Sequence, residues 1–231
     1  MNAADWVQCD SLDLKAPVYS GARHDAPTPW PGPFDAMRFP LSYEGSLPSS
    51  GNPRDPSKPS KLKEIWAIRN AVHLQIRSIY DHHSAFRGQF GHSNALLQRI
   101  NLPIVVDGRN FYPLARVSFK LKCELEIEML VNHPIASVVT NGSDLDNRLK
   151  TLFDGLRVPQ SVQEIKGYMP PDITDYCCLL ENDVIISALK IEAFRNTATP
   201  AGAPLDHVRL NMRVRLEPME YDFVNEPFRH D

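Results

Sequence analysis

The segment Asn141-Gly-Ser-Asp-Leu-Asp-Asn-Arg-Leu-Lys-Thr-Leu-Phe-Asp154 holds the residues of this chain best suited to chemistry. Asp144 and Asp146 straddle the expected start of a helix. In a short extended entry, residues two apart point the same way, so both carboxylates could face one site. Within the helix, Asp146, Lys150 and Asp154 recur every four residues, opposite an apolar stripe of Leu145, Leu149, Leu152, Phe153 and Leu156. Clustered carboxylates repel one another unless a cation holds them. Hard oxygen ligands suit Mg²⁺, which takes one or two protein carboxylates and completes its shell with water and phosphate oxygens. Such an ion orients a water, lowers its pKa and neutralises charge on a phosphodiester. A lysine one turn away adds a positive point charge for the phosphate or the leaving oxygen. The same residues also have a plain structural reading. Asp and Ser satisfy helix N-termini, and Asp–Lys four apart is a common surface pair. Spacing alone leaves both open.

A second acidic cluster, Glu181 and Asp183 in Leu180-Glu-Asn-Asp-Val-Ile-Ile186, sits where an apolar strand begins. A strand end beside a helix N-terminus is a natural place for a third metal-facing carboxylate, and equally a polar turn before a buried strand. Other candidates are weaker. Asp81-His82-His83 with His92 lacks ligand spacing. Glu124, Glu126 and Glu128 alternate along one strand face, which suits a solvated or dimer surface. No nucleophile-elbow serine or phosphate-binding glycine loop is present.

These residues need a scaffold, and the pattern supplies an α+β one: a mixed sheet packed with two main helices. Met37–Tyr43 reads as a strand. Leu62, Ile65, Ile68, Val72, Ile76 and Ile79 fall at helical spacing over 61–80, with Ser60 as a cap. Asp107-Gly108 between apolar runs signals a hairpin. Val117–Val131 alternates as one long half-buried strand. The second helix runs from about 145 to 156, residues 157–178 look irregular, and Val184–Phe194 and His207–Leu216 are further strands. Much of the proline lies in residues 1–60, so 1–36 reads as an extended N-terminal segment, followed by a core over 37–217 and a tail over 218–231.

Composition bounds the rest. The chain has 231 residues, no apolar run near the roughly 20 residues of a membrane span, and four cysteines without zinc or disulfide spacing. It reads as a protein of a reducing cytoplasm. A formal charge of −3 argues mildly against nucleic acid. Residues 51–100 nevertheless carry Arg54, Lys58, Lys61, Lys63, Arg69, Arg77, Arg87 and Arg99 against Asp55, Glu64 and Asp81, so one part can be electropositive.

Asp144-Leu-Asp-Asn-Arg-Leu-Lys150, then Phe153-Asp-Gly-Leu156 and an acidic turn into an apolar strand, resembles the signature of the RusA family of four-way (Holliday) junction resolvases. The resemblance implies a small α+β homodimer that nicks branched DNA with Mg²⁺ or Mn²⁺ in recombination and repair. On that implication Asp144 and Asp146 match the metal ligands and Lys150 the catalytic lysine. Glu181-Asn182-Asp183 stands where the family has two aspartates. Asp183 then takes the third position, as metal ligand and catalytic acid, with Glu181 in support. Lys58, Lys61, Lys63, Arg69 and Arg148 become the expected DNA contacts. Residues 157–178 form an insertion relative to compact members. A catalytically impaired relative that still binds DNA is the alternative, since Asn182 can occupy the aspartate position.

Overall fold

Alternation of apolar and polar residues drives four long strands onto one face of a sheet, and two amphipathic helices cover that face. The computed structural model describes residues 36–48, 61–82, 102–132, 142–165, 167–170, 173–197, 204 and 206–220, with 142–144 as backbone only. The chain divides into two units, Met1–Pro33 and Phe34–Asp231, and every described residue belongs to the second. The expected N-terminal extension therefore lies almost wholly outside the described residues.

The elements in chain order are β1 (Met37–Ser46), α1 (Leu62–His82), β2 (Ile104–Val106), β3 (Arg109–Ala115), β4 (Leu121–Val131), α2 (Gly142–Leu156), β5 (Asp175–Leu180), β6 (Ile186–Arg195) and β7 (His207–Pro218). The fold is α+β. The large sheet has the order β1-β7-β4-β6, antiparallel except for the parallel β4–β6 pair. A smaller sheet, β2-β3-β5, adds to it, with β3 and β5 parallel. The main core lies between the large sheet and the helices. Leu41, Leu125, Ile127, Met129, Leu210, Met212 and Val214 meet Ile68, Val72, Ile76, Leu152 and Leu156 there. The other side of α1 presents Trp66 to Phe111, Tyr176 and Cys178 of the small sheet. α1 is thus shared between both sheets. Among the described residues, no helix is long and apolar enough to cross a membrane.

Several expectations need correction. The long alternating run does not form one strand from Val117. Val117–Phe119 form a 3-10 turn, Lys120 adopts a left-handed φ of 52°, and β4 starts at Leu121. Phe119 and Leu121 bury from either side of Lys120, so the alternation of types survives the break, while Val117 turns out to solvent at 51% exposure. The region 157–178 is not wholly irregular either. Its end belongs to β5, where Tyr176 to Leu180 are all buried. That continuous apolar run is the mark of a strand covered on both faces. A second 3-10 turn at Asp183–Ile185 delays β6 to Ile186. The hairpin signal is accurate: Asp107 and Gly108 have φ of 50° and 71°, as a type I′ turn requires.

Two packing details carry energetic weight. Gly155 lets α2 approach α1 closely, because a Cβ there would lie 2.6 Å from Ile68 Cγ2. His73 is buried on α1, stacks on Tyr176 at 4.3 Å, and its Nδ1 accepts a hydrogen bond from the Cys177 N–H at 2.9 Å. Burial lowers its pKa below the usual 6.5, with Arg77 adding to the effect. The buried thiols are structural: burial pushes Cys123 and Cys178 up to about 12, and Cys177 upward as well.

Gly155→Ala is expected to destabilise the fold by about 1–3 kcal/mol in urea titration, since neither helix can retreat without opening the core. For His73 the folded state holds the neutral ring, so its stabilising contribution is full above pH 6.5 and is lost as pH falls through the lower folded value. Unfolding midpoints measured from pH 7.5 to 5 should fall for the wild type and fall less for His73→Gln.

Candidate functional site

α2 carries the candidate site, and two buried arginines fix where it lies. At its carboxyl end Arg69 of α1, only 1% exposed, donates from Nη2 to the Asp154 carbonyl at 2.7 Å and from Nε to the Arg157 carbonyl at 3.3 Å. These are last-turn carbonyls that the helix cannot satisfy itself, at the negative end of its dipole. Glu164 supplies the countercharge at 3.1 Å, and the guanidinium lies 4.9 Å from the Trp66 ring centre. Nearer the amino end, Arg148 is 4% exposed and donates to the Leu47 carbonyl at 2.6 Å. The expectation that Arg69 and Arg148 contact DNA is therefore corrected. Both are interior clamps: Arg69 lies within the buried stripe of α1, and Arg148 lies three residues from Leu145 and four from Leu152.

The exposed face of α2 is as the spacing requires. Asp146 and Lys150 are both solvent-accessible and pair at 3.2 Å. Asp154 turns instead to Arg157, at 2.6 Å and 3.0 Å. Lys61, just before α1, belongs to the same place. Its pKa is lowered chiefly by burial, Asp154 opposes that, and Lys150 lowers it further. Two lysines far apart in sequence therefore feel one another, with Asp154 as the acid that acts on Lys61. Lys63 is exposed on the first turn of α1, and Lys58 lies outside the described residues.

Two expected juxtapositions fail. α2 begins at Gly142, so positions 144 and 146 both stand on helix and lie about 200° apart around its axis. The extended spacing that would align their carboxylates is absent; the Asp144 side chain itself lies outside the described residues. The acidic turn at 181–183 is further removed. Arg148 is tied to Leu47, beyond the end of β1. The turn precedes Ile186, which pairs with Cys123, which pairs with Leu216, which pairs with Met37 at the start of β1. The ten residues of β1 span roughly 33 Å at about 3.3 Å each. α2's amino-terminal half and the acidic turn thus lie at opposite ends of the large sheet. Leu180 accepts from the Val158 N–H at 3.0 Å, just past the carboxyl end of α2, not its amino end.

The turn residues have local work. Glu181 accepts from the Val117 N–H at 2.9 Å and offsets the burial that lowers Arg116. Asn182 caps the 3-10 turn by accepting from the Val184 N–H at 3.1 Å. Asp183 is exposed. Among the described residues, no group of three His, Cys, Asp or Glu side chains is placed to hold a metal ion. Sequence reasoning missed His73 and the Arg69–Glu164–Arg157 network, although the position of Arg69 between Ile65 and Val72 was a signal that it faces inward.

Comparison with protein-family models, with curated proteins and with solved structures finds no match to this chain.

Burial and exposure separate structural from chemical residues. Asp146→Asn should change stability by no more than about 0.5 kcal/mol, because an exposed helical pair contributes little. Glu164→Ala should cost about 2–3 kcal/mol by leaving Arg69 short of its countercharge. Urea unfolding of the two variants beside the wild type checks the contrast.

Proposed function

We propose that this chain is a metal-dependent, structure-selective endodeoxyribonuclease that acts on branched DNA such as a four-way junction. The observation that carries this reading is the exposed Asp146–Lys150 pair on α2, with Lys61 near enough for Lys150 to lower its pKa. Two cations forced close together suit a bridging anion, and a phosphodiester is such an anion.

Asp146 is the described carboxylate that would offer Mg²⁺ or Mn²⁺ an oxygen, since position 144 stands about 200° away around the helix. Mg²⁺ can be held through a single protein carboxylate when waters and substrate oxygens complete its shell. When bound, the metal supplies Lewis acidity and an activated water. The protein's own part is to position and to neutralise. Lys150 stands one helical turn from Asp146 and meets charge building on the phosphate or leaving oxygen. Lys61 and Lys63 hold the flanking backbone, and the arginine clamps keep α2 rigid beneath them. Paired cuts across a junction need paired sites, so the reading includes a homodimer acting in recombination or repair.

A second reading, a DNA-binding protein that does not cut, is favoured by one observation. The acidic turn at 181–183 stands at the far end of the sheet from Asp146, and among the described residues no group of three His, Cys, Asp or Glu is placed to hold a metal ion.

Incubation with a labelled four-way junction and a linear duplex, with and without Mg²⁺, separates the two. Metal-dependent paired nicks confined to the junction are expected. Lys150→Ala should lower the cleavage rate about a hundredfold or more, and Asp146→Asn should abolish cleavage with junction binding retained. Binding without cleavage in both Mg²⁺ and Mn²⁺ would instead establish the second reading.

A further inference from the structure

The two edges of the large sheet are treated differently. At β1 the free edge is interrupted at its middle: Gln75 of α1 accepts from the Ser42 N–H at 2.9 Å and donates to the Ser42 carbonyl at 2.8 Å. At β6 the opposite edge is bare. Among the described residues, β6 pairs only with β4, along its ten residues. Its apolar residues are exposed as well, Leu189 at 39% and Phe194 at 47%. An edge of this length is a template for another strand.

We propose that β6 pairs with β6 of a second copy of this chain, antiparallel about a two-fold axis through Ile191. The sequence of the strand is complementary to itself in this register. Continuing the sheet with the same faces in and out places Ile191 against its own copy. It also sets Leu189 against Ala193, Ala188 against Phe194, and Lys190 against Glu192, each twice by symmetry. A shift by two residues one way opposes Lys190 to Lys190, and the other way opposes Glu192 to Glu192.

The rows across the sheet agree with this register. On the inner face, Leu125, Ile127 and Met129 of β4 lie beside Leu189, Ile191 and Ala193. The partner strand extends that apolar layer over residues that α1 and α2 leave exposed. On the outer face, Arg213, Glu126 and Lys190 alternate in sign across three strands, and Glu192 of the second copy continues the alternation. Glu192 has a like-charged neighbour, Glu128, on its paired side. Like charges directly opposite are destabilising; Lys190 of the same strand pairs with Glu192 at 3.4 Å, and Lys190 of the second copy adds a cation on the open side.

This inference stands on the sheet edge and does not depend on the catalytic reading. Sedimentation velocity of the full chain over a concentration series, without DNA or metal, tests it. The wild type should form a dimer. Lys190→Glu and Glu192→Lys should each weaken it about tenfold, since each turns two attractive pairs repulsive. The double variant K190E/E192K should recover most of the loss, because it restores opposite charges in the same register. Circular dichroism and urea midpoints confirm that each variant is folded. A wild type that stays monomeric throughout overturns the proposal, as does a dimer indifferent to the single changes or a double variant no better than the singles. A monomeric wild type would also remove the homodimer from the proposed function, while the metal-dependent chemistry is tested by the cleavage assay alone.

Discussion

A guanidinium in the protein interior governs the geometry of this molecule. Arg69 reaches from α1 to the carbonyls that end α2, with Glu164 balancing its charge and Trp66 beneath it. Burial lowers its pKa, with Glu164 among the groups opposing that, yet an arginine stays charged over any ordinary pH. Its cost in desolvation is met only while all its partners hold their positions together. That requirement locks α1, α2 and the segment around Glu164 into one arrangement, and it sets the angle at which α2 presents Asp146 and Lys150. The exposed Asp146–Lys150 pair is placed by a buried charge.

The fold was readable where a single period ran unbroken. β1, β7, both helices and the Asp107-Gly108 turn follow from alternation, helical spacing and tolerance of positive φ, each a local cause. The failures come where a local pattern has two solutions that only tertiary contacts separate. Val117 obeys the alternation of β4, but the left-handed Lys120 breaks the strand and exposes it. Tyr176–Leu180 has no alternation because both faces are covered, and so it blends into the irregular stretch before it.

The candidate site divides along the same line. Asp146, Lys150 and Asp154 share a helix face by spacing alone, and the Asp146–Lys150 pair follows directly. Lys61 joins them through the packing of α1 on α2, which no local pattern encodes. Arginines were the hardest residues to read. Charge suggests a surface, while the neighbours of Arg69 and Arg148 at helical spacing suggest an interior, and the interior wins because each donates to a backbone carbonyl there. The distance between the acidic turn and α2 was likewise invisible, since it depends on strand register across three pairings.

Gln75 has a consequence reaching beyond the strand it touches. By filling the donor and acceptor of Ser42, it interrupts one margin of the large sheet at its middle, while among the described residues the strand at the other margin, β6, pairs only with β4. A sheet with two unbroken margins can recruit neighbours without limit and grow into a fibre. An interrupted margin offers an incoming strand no continuous ladder, so one glutamine side chain biases growth by edge contact toward a valence of one.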